Sequence, residues 1–401
     1  MDLILARTVG LLVVAMLVAI GARRCRLPYT VGLVLCGFFL ALMRVDAGPS
    51  LTHSLIFLVI LPPLLFEAAF NLKWAELRPD LKVVACLTMA GVVISAGVVA
   101  AGMVMIADWP LRSAVVFGVL IAATDPVAVI AMFKDNRFTG RLRLLVESES
   151  LFNDGVAAVL FALALTWTQG HEITALSLFR GVALSAGGGI AIGLFCGAVA
   201  IVLAGRITDN LVETTLSVAA AYGSFLLAER VHASGVMATV AAGMLMGNLT
   251  MGENGPTAWL SESSRDFLNN VWNFAAFIAN SLVFLMIGLA LAGLPFDGRS
   301  GLTIGIAILL VLLGRLLSVY PLCLPFRKGP AAVPAREQHV LWWGGLRGAL
   351  GLALALSLPH SLPGRDEIVT TTFGVAAFSI VVQGLSMPGL LRRLGFLGAR
   401  N

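Results

Sequence analysis

The sequence predicts an all-α polytopic membrane protein, and three observations predict it. Hydrophobic residues make up 59% of the 401 positions and charged residues 12%, with a mean hydropathy of +0.94, whereas a soluble domain is about half apolar and about a quarter charged. Apolar runs long enough for a bilayer recur along the whole chain. The basic residues gather in alternate loops between these runs. The formal net charge of +5 and the pI near 9.2 therefore reflect orientation in a membrane, not a nucleic-acid partner. The 42 glycines suit close helix packing in lipid.

On a template of roughly 17–25 residues per span, about thirteen spans cover 4–22, 29–43, 53–70, 81–107, 111–132, 144–168, 175–204, 211–229, 235–249, 266–293, 301–324, 338–358 and 367–390. The second and ninth are short and suit a tilted or partly re-entrant path. With the N-terminus outside, the inner loops carry Arg23/Arg24/Arg26, Lys73/Arg78/Lys82, Lys134/Arg137/Arg141/Arg143 and Arg327/Lys328/Arg336, and the tail adds Arg392, Arg393 and Arg400. The outer loops hold mostly single charges: Arg44, Arg112, Arg230, Arg299 and Arg365. An error of one span would scramble this alternation. The chain reads as one multi-pass domain, 1–401, of the cell (inner) membrane. Its C-terminus is cytoplasmic, and it carries no cleavable signal peptide and no cytoplasmic regulatory domain.

Two spans are interrupted. The fifth carries Ala123-Thr124-Asp125-Pro126 at its middle, and the twelfth carries Gly344-Gly345-Leu346-Arg347-Gly348. Lying seven spans apart, they enter the membrane from opposite sides. This pattern predicts inverted repeats with an ion site between them: repeat one over 4–168, a linker helix over 175–204 and repeat two over 211–390.

Ionisable side chains at membrane depth cost about 2.5–3.5 kcal/mol or more each, so they mark function by default. Six stand out: Glu67, Asp125, Glu149, Asp154, Arg315 and Arg347. Asp154 is about ten residues into the sixth span, roughly 15 Å at helical rise, with Ser150 one turn before it on the same face. Glu149 stands in the same relation to Asn153. In the fifth span Pro126 frees the Ala122 carbonyl. Freed carbonyls and the Thr124 hydroxyl are hard oxygen ligands for a small dehydrated cation, and Asp125 neutralises or caps the N-terminus of the adjoining half-helix. Arg315 and Arg347 stay charged. Glu149 is the natural partner of Arg315, forming a structural ion pair, and Arg347 suits the carbonyl end of a broken half-helix. Glu67, closing Pro62-Pro63-Leu64-Leu65-Phe66-Glu67, is either an accessory ligand or cavity acid, or a snorkelling interfacial acid.

The cysteines Cys25, Cys36, Cys86, Cys196 and Cys323 read as small hydrophobes, not as a disulfide frame or a metal site. The histidines His53, His171, His232, His339 and His360 fall in or near predicted loops and read as solvated.

At these residues the chain resembles the NhaP-type sodium/proton antiporters of the first monovalent cation:proton antiporter family, which also holds the animal sodium/proton exchangers. The segments Ala123-Thr124-Asp125-Pro126-Val127-Ala128-Val129 and Glu149-Ser150-Leu151-Phe152-Asn153-Asp154-Gly155-Val156 carry the likeness. It continues at Leu61-Pro62-Pro63-Leu64-Leu65-Phe66-Glu67-Ala68, at Gly314-Arg315 and at Gly344-Gly345-Leu346-Arg347-Gly348-Ala349. The resemblance implies a thirteen-helix fold with inverted repeats, a homodimer and an elevator-like movement of a core domain. It implies that Asp154 carries either cation or proton and that Thr124, Ser150 and Glu67 complete the Na+ ligands. It further implies that Glu149 and Arg315 form a structural pair, and that Asn153 goes with electroneutral exchange.

The expected activity is exchange of Na+ or Li+ for H+ by one carboxylate with two mutually exclusive ligands, without enzyme chemistry or cofactor. The partners are monovalent cations, protons and the lipid bilayer. The alternatives are a K+/H+ antiporter of the same fold and a cation-coupled organic solute carrier, which would need more polar or aromatic groups at midspan. A channel would not need an alternating carboxylate.

Overall fold

The computed structural model describes residues 2–25, 28–43, 52–135, 138, 140–170, 175–206, 209–250, 262–293, 298–329 and 331–396. Arg26, Arg44, Arg137, His171 and Arg400 lie outside the described residues. Among the described residues every regular element is helical. Where lipid offers no hydrogen bonds, helices satisfy their own backbone.

The chain runs through α1 (Asp2–Cys25), α2 (Tyr29–Leu42) and a π-helical turn (Leu55–Ile60) that leads into α3 (Leu61–Asn71). The short α4 (Trp74–Leu77) precedes α5 (Leu81–Ala107), α6 (Leu111–Leu120), α7 (Val127–Asp135) and α8 (Arg141–Thr168). Next come α9 (Ala175–Ala204), α10 (Asn210–Arg230), α11 (Gly235–Thr250), α12 (Glu262–Ala292) and α13 (Gly298–Cys323). The chain closes with α14 (Ala335–Trp343), α15 (Ala349–Leu356), α16 (Arg365–Phe378), a second π-helical turn (Ser379–Gln383) and α17 (Gly384–Arg393). Among the described residues, 7 helical stretches are long and apolar enough to cross a membrane, and shorter apolar helices lie between them.

Local chemistry sets many of the ends. Pro28, Pro110 and Pro334 stand just before α2, α6 and α14, where a missing N–H costs nothing. The Asp209 carboxylate caps α10 by accepting from the Leu211 and Val212 amides. α5 stops at Asp108, which is left-handed with φ 56°.

The helices form two packed groups. In one, α5 lies along α13, and α6, α8, α14, α15 and α16 close around them. In the other, α2 lies along α12, α11 along α3 and α9, and α1 and α10 flank them. The second group packs backbone to backbone. A Cβ on Gly37 would stand 2.1 Å from the Leu285 carbonyl oxygen, and one on Gly247 would stand 2.0 Å from that of Phe70. Only glycine permits such an approach. Exposed Phe179, Leu184 and Phe195 on α9, and Leu309 on α13, give the outer surface a lipid-compatible face.

Candidate functional site

The site begins where α6 stops. Residues 121–126 are not helical, and α7 starts at Val127 directly after Pro126. The chain likewise leaves helical geometry between α14 and α15, and the two irregular segments meet: the Asp125 amide donates to the Leu346 carbonyl at 2.7 Å. Each segment brings a charge to the other's helix ends. Asp125 Oδ1 accepts from the Val127 amide at 2.9 Å, and the same carboxylate accepts from the Ala349 amide. One carboxylate therefore sits at the N-termini of both α7 and α15, where helix dipoles favour negative charge. A Cβ on Gly348 would fall 1.9 Å from Asp125 Oδ2, so this approach requires glycine. Arg347 Nη1 donates to the Ala122 and Ala123 carbonyls at 2.8 and 3.0 Å, placing positive charge at the C-terminal end of α6.

The carbonyls of the break each have a donor: Ala122, freed by Pro126, and Ala123 accept from Arg347, and the Thr124 carbonyl accepts from Ser150 Oγ at 2.5 Å. A guanidinium presents rigid donors that reach backbone oxygens readily.

α8 carries the rest. Ser150, Asn153 and Glu149 are buried on its face toward the broken segments. Arg315 Nη1 on α13 donates to Glu149 Oε1 at 2.7 Å, and Nη2 donates to the Leu341 carbonyl at 2.6 Å. Asn153 Nδ2 donates to Glu149 Oε1 at 2.8 Å and to Thr124 Oγ1 at 3.1 Å, and Thr124 Oγ1 donates to Ser150 Oγ at 3.3 Å. A continuous polar chain thus runs from the ion pair to Thr124. Beside it, the Thr124 amide reaches the Asp154 carboxylate. Asp154 Oδ1 and Asn153 Oδ1 are buried without a protein hydrogen-bond partner. Buried acceptors are normally satisfied, and these two stand next to each other on α8.

Asp154 opens onto a cavity of about 460 Å³ between the two helix groups. Thr124, Asp125, Ser150 and Asp154 line one wall, and Glu67 of α3 lines the other. Glu67 Oε1 accepts from Asn71 Nδ2 at 3.0 Å. Of the two readings left open for Glu67, the cavity-lining one fits this placement.

The charges then sort themselves. Glu149 has Arg315 in contact, Asp125 has two helix N-termini, and Arg347 has the end of α6. Asp154 is left with neighbouring charges acting only through space, from Asp125, Glu149 and Arg347. A buried carboxylate without a fixed counter-charge needs a mobile one, a cation or a proton.

All nine residues singled out from the sequence lie in or beside this region. Sequence reasoning missed Tyr29, Glu147, Asn273 and Asn280, which also line the cavity. Asn273 and Asn280 carried a signal: two amides seven apart, hence on one face of an apolar helix. It also missed a network outside the cavity, in which Arg141 binds Asp80 at 2.7 Å and approaches Glu337 at 3.7 Å. The histidine expectation fails at two positions. His53 Nδ1 pairs with the Ala353 carbonyl at 3.0 Å and its ring stacks on Phe57, and His339 Nδ1 pairs with the Tyr320 hydroxyl at 2.5 Å. Both side chains are half-buried, and His339 lies within α14. Cys36, Cys86, Cys196 and Cys323 are free thiols.

Comparison with known proteins finds relatives along nearly the whole chain. The chain is 37% identical over 385 residues to the Na(+)/H(+) antiporter ApNhaP of Aphanothece halophytica, covering 94% of this chain and 71% of that protein. It is 34% identical over 403 residues to the Na(+)/H(+) antiporter NhaH of Halobacillus dabanensis, covering 96% and 97%. In fold it superposes on the sodium proton antiporter MjNhaP1 of Methanocaldococcus jannaschii with a TM-score of 0.79 over 100% of both chains, at 19% identity. The family profile described as "Sodium/hydrogen exchanger, transmembrane" matches residues 11–393. The chain belongs to the sodium/hydrogen exchanger family, a family of membrane transporters and not of enzymes.

Proposed function

We propose that this chain exchanges Na+ or Li+ for H+ across the cell membrane, one for one, with Asp154 binding either the cation or the proton. The observation that carries the proposal is the Asp154 carboxylate, which faces the cavity with no fixed counter-charge in contact. Thr124, Ser150 and Glu67 supply the neighbouring oxygens for the cation. Deprotonated Asp154 takes the cation and protonated Asp154 releases it. If only the occupied forms cross the membrane, the two fluxes are coupled. Asn153 carries no titrating proton, and Glu149 is tied to Arg315, so one positive charge moves each way.

The same reading holds that thirteen spans form inverted repeats, with α6–α7 and α14–α15 as their interrupted members and the chain assembled as a homodimer. Helix neighbours support the repeats. Matching span one to eight, two to nine and so on turns the α2–α12 pair into α11–α3, α1–α12 into α10–α3, and α7–α8 into α15–α16, and each of these pairs packs. With the N-terminus outside, the cavity is lined by the cytoplasmic halves of α2, α3, α8 and α12, by α7 and by the start of α15. On the opposite side the groups touch through His53 and the Ala353 carbonyl. The arrangement is that of an inward-facing state.

The decisive test is radioactive sodium flux in proteoliposomes under an imposed pH gradient. The proposal expects sodium movement driven by the proton gradient, proton movement driven by sodium, and competition by lithium. Sodium flux indifferent to the pH gradient would sink it.

A further inference from the structure

The break between α14 and α15 strips backbone groups of their partners within the helix, and the structure supplies replacements from other elements. Arg315 and Asp125 meet the Leu341 and Leu346 carbonyls. Two more replacements come from one short stretch. Gln383 Nε2 donates to the Trp343 carbonyl at 3.0 Å, and the Arg347 amide donates to Ser379 Oγ at 2.8 Å.

Ser379 and Gln383 open and close the π-helical turn that joins α16 to α17. Four positions apart, they share one side of it, and π turns set into α-helices frequently stand at functional sites. Both side chains are buried, 2% and 4% exposed, in a segment otherwise made of Ile380, Val381 and Val382. A hydroxyl and an amide in such surroundings are costly unless bonded. Here both are bonded to the break, and Ser379 Oγ also donates to the Ala376 carbonyl at 3.1 Å. The π turn thus holds the backbone on both sides of the residues leading to Arg347. The Arg347 side chain in turn occupies the Ala122 and Ala123 carbonyls, immediately before Thr124.

We infer that Ser379 and Gln383 are positioning residues for the cation site: they fix the 343–347 backbone so that Arg347 stays on the end of α6 and Thr124 stays against Asp154. They touch neither Asp154 nor the Asn153 amide, and act through Arg347. This rests on the antiport reading of Asp154 given above.

The test compares wild type, Ser379→Ala, Ser379→Thr and Gln383→Leu in proteoliposomes. It measures sodium/proton exchange against sodium concentration and pH, with thermal stability in parallel. Losing one hydrogen bond to the break should raise the apparent KM for sodium about 3- to 10-fold in Ser379→Ala and Gln383→Leu. It should displace the pH profile and leave the maximal rate within about 2-fold. Ser379→Thr, which keeps the hydroxyl, should restore the wild-type KM. Unchanged KM and pH profile in the folded variants overturns the inference. So does an equal loss of stability and maximal rate in Ser379→Ala and Ser379→Thr without a KM change, because that is a purely structural role. Wild-type protein without exchange instead overturns the antiport reading, and the positioning role with it.

Discussion

Glu149 and Asp154 stand five positions apart on α8, and both are acids at membrane depth, yet the fold treats them in opposite ways. Glu149 is 4% exposed, bonded to Arg315 at 2.7 Å and to the Asn153 amide at 2.8 Å. Asp154 faces the cavity between the helix groups and keeps a buried oxygen without a protein partner. The difference is that between a carboxylate with a fixed partner and the one proposed to carry the transported ion. A carboxylate with a guanidinium in contact has a counter-charge that cannot leave. One lacking it must take its counter-charge from solution, and that exchange of counter-charges is the proposed transport cycle.

The sharpest way to break this comparison is to neutralise the free acid. Asp154→Asn should reduce both sodium and proton movement to the level of protein-free liposomes while the protein still extracts and elutes as wild type. Coupled exchange by this variant would move the site elsewhere.

Breaking the paired acid should instead damage the fold. Arg315→Ala leaves Glu149 buried and unpaired, a situation that costs about 3–5 kcal/mol. Glu149→Ala strands Arg315 in the same way. Thermal unfolding of both and of the double variant should show the double losing less than the sum, with a coupling of about 0.5–3 kcal/mol. Strict additivity, or two stable single variants, would dissolve the contrast between the acids.

A third variant probes the crossing beside these acids. Gly348→Ala places a methyl group 1.9 Å from Asp125 Oδ2, so Asp125 must leave the α7 and α15 N-termini. Such overpacking costs about 1–3 kcal/mol, and exchange should fall with stability. Wild-type stability and rate would show that the cap is dispensable.

Glu67 sharpens the comparison from the far wall. As an accessory oxygen it should matter less than Asp154, so Glu67→Gln is expected to raise the sodium KM a few-fold, on the order of one hydrogen bond, and to leave coupling intact. The smallest expected effect is that of voltage. For one-for-one exchange, a membrane potential of 100 mV should leave the equilibrium sodium gradient unmoved, whereas each net charge transported would shift it by about 2.3 kcal/mol. A clear shift would overturn one-for-one exchange and point to Glu67 as the second proton carrier.

What was legible in the sequence was whatever depends on near neighbours. The residues of α5 and α9 coincide with the predicted runs 81–107 and 175–204, because a long apolar segment in lipid has few ways to satisfy its backbone other than as a helix. The six intramembrane charges were visible because burying a charge is costly wherever it occurs, and Pro126 announced a helix start because it has no N–H. Less legible were residues whose polarity is modest. Ser379, Gln383, Asn273 and Asn280 do not stand out in apolar runs, and the π turn carrying the first two left no mark in composition.

The sequence by itself determined the helical membrane class, the limits of most apolar segments and the short list of acids and bases, since each follows from local hydropathy and the cost of buried charge. Only the tertiary structure decided which acid keeps a permanent partner. Arg315 lies 166 positions from Glu149, and Arg347 lies 225 from the carbonyl it caps at Ala122. No local pattern states that the carbonyls freed by Pro126 go to an arginine, or that Asp125 spans two helix ends. Those outcomes depend on which groups are brought within about 3 Å, and contacts between distant segments are set by how the two helix groups pack.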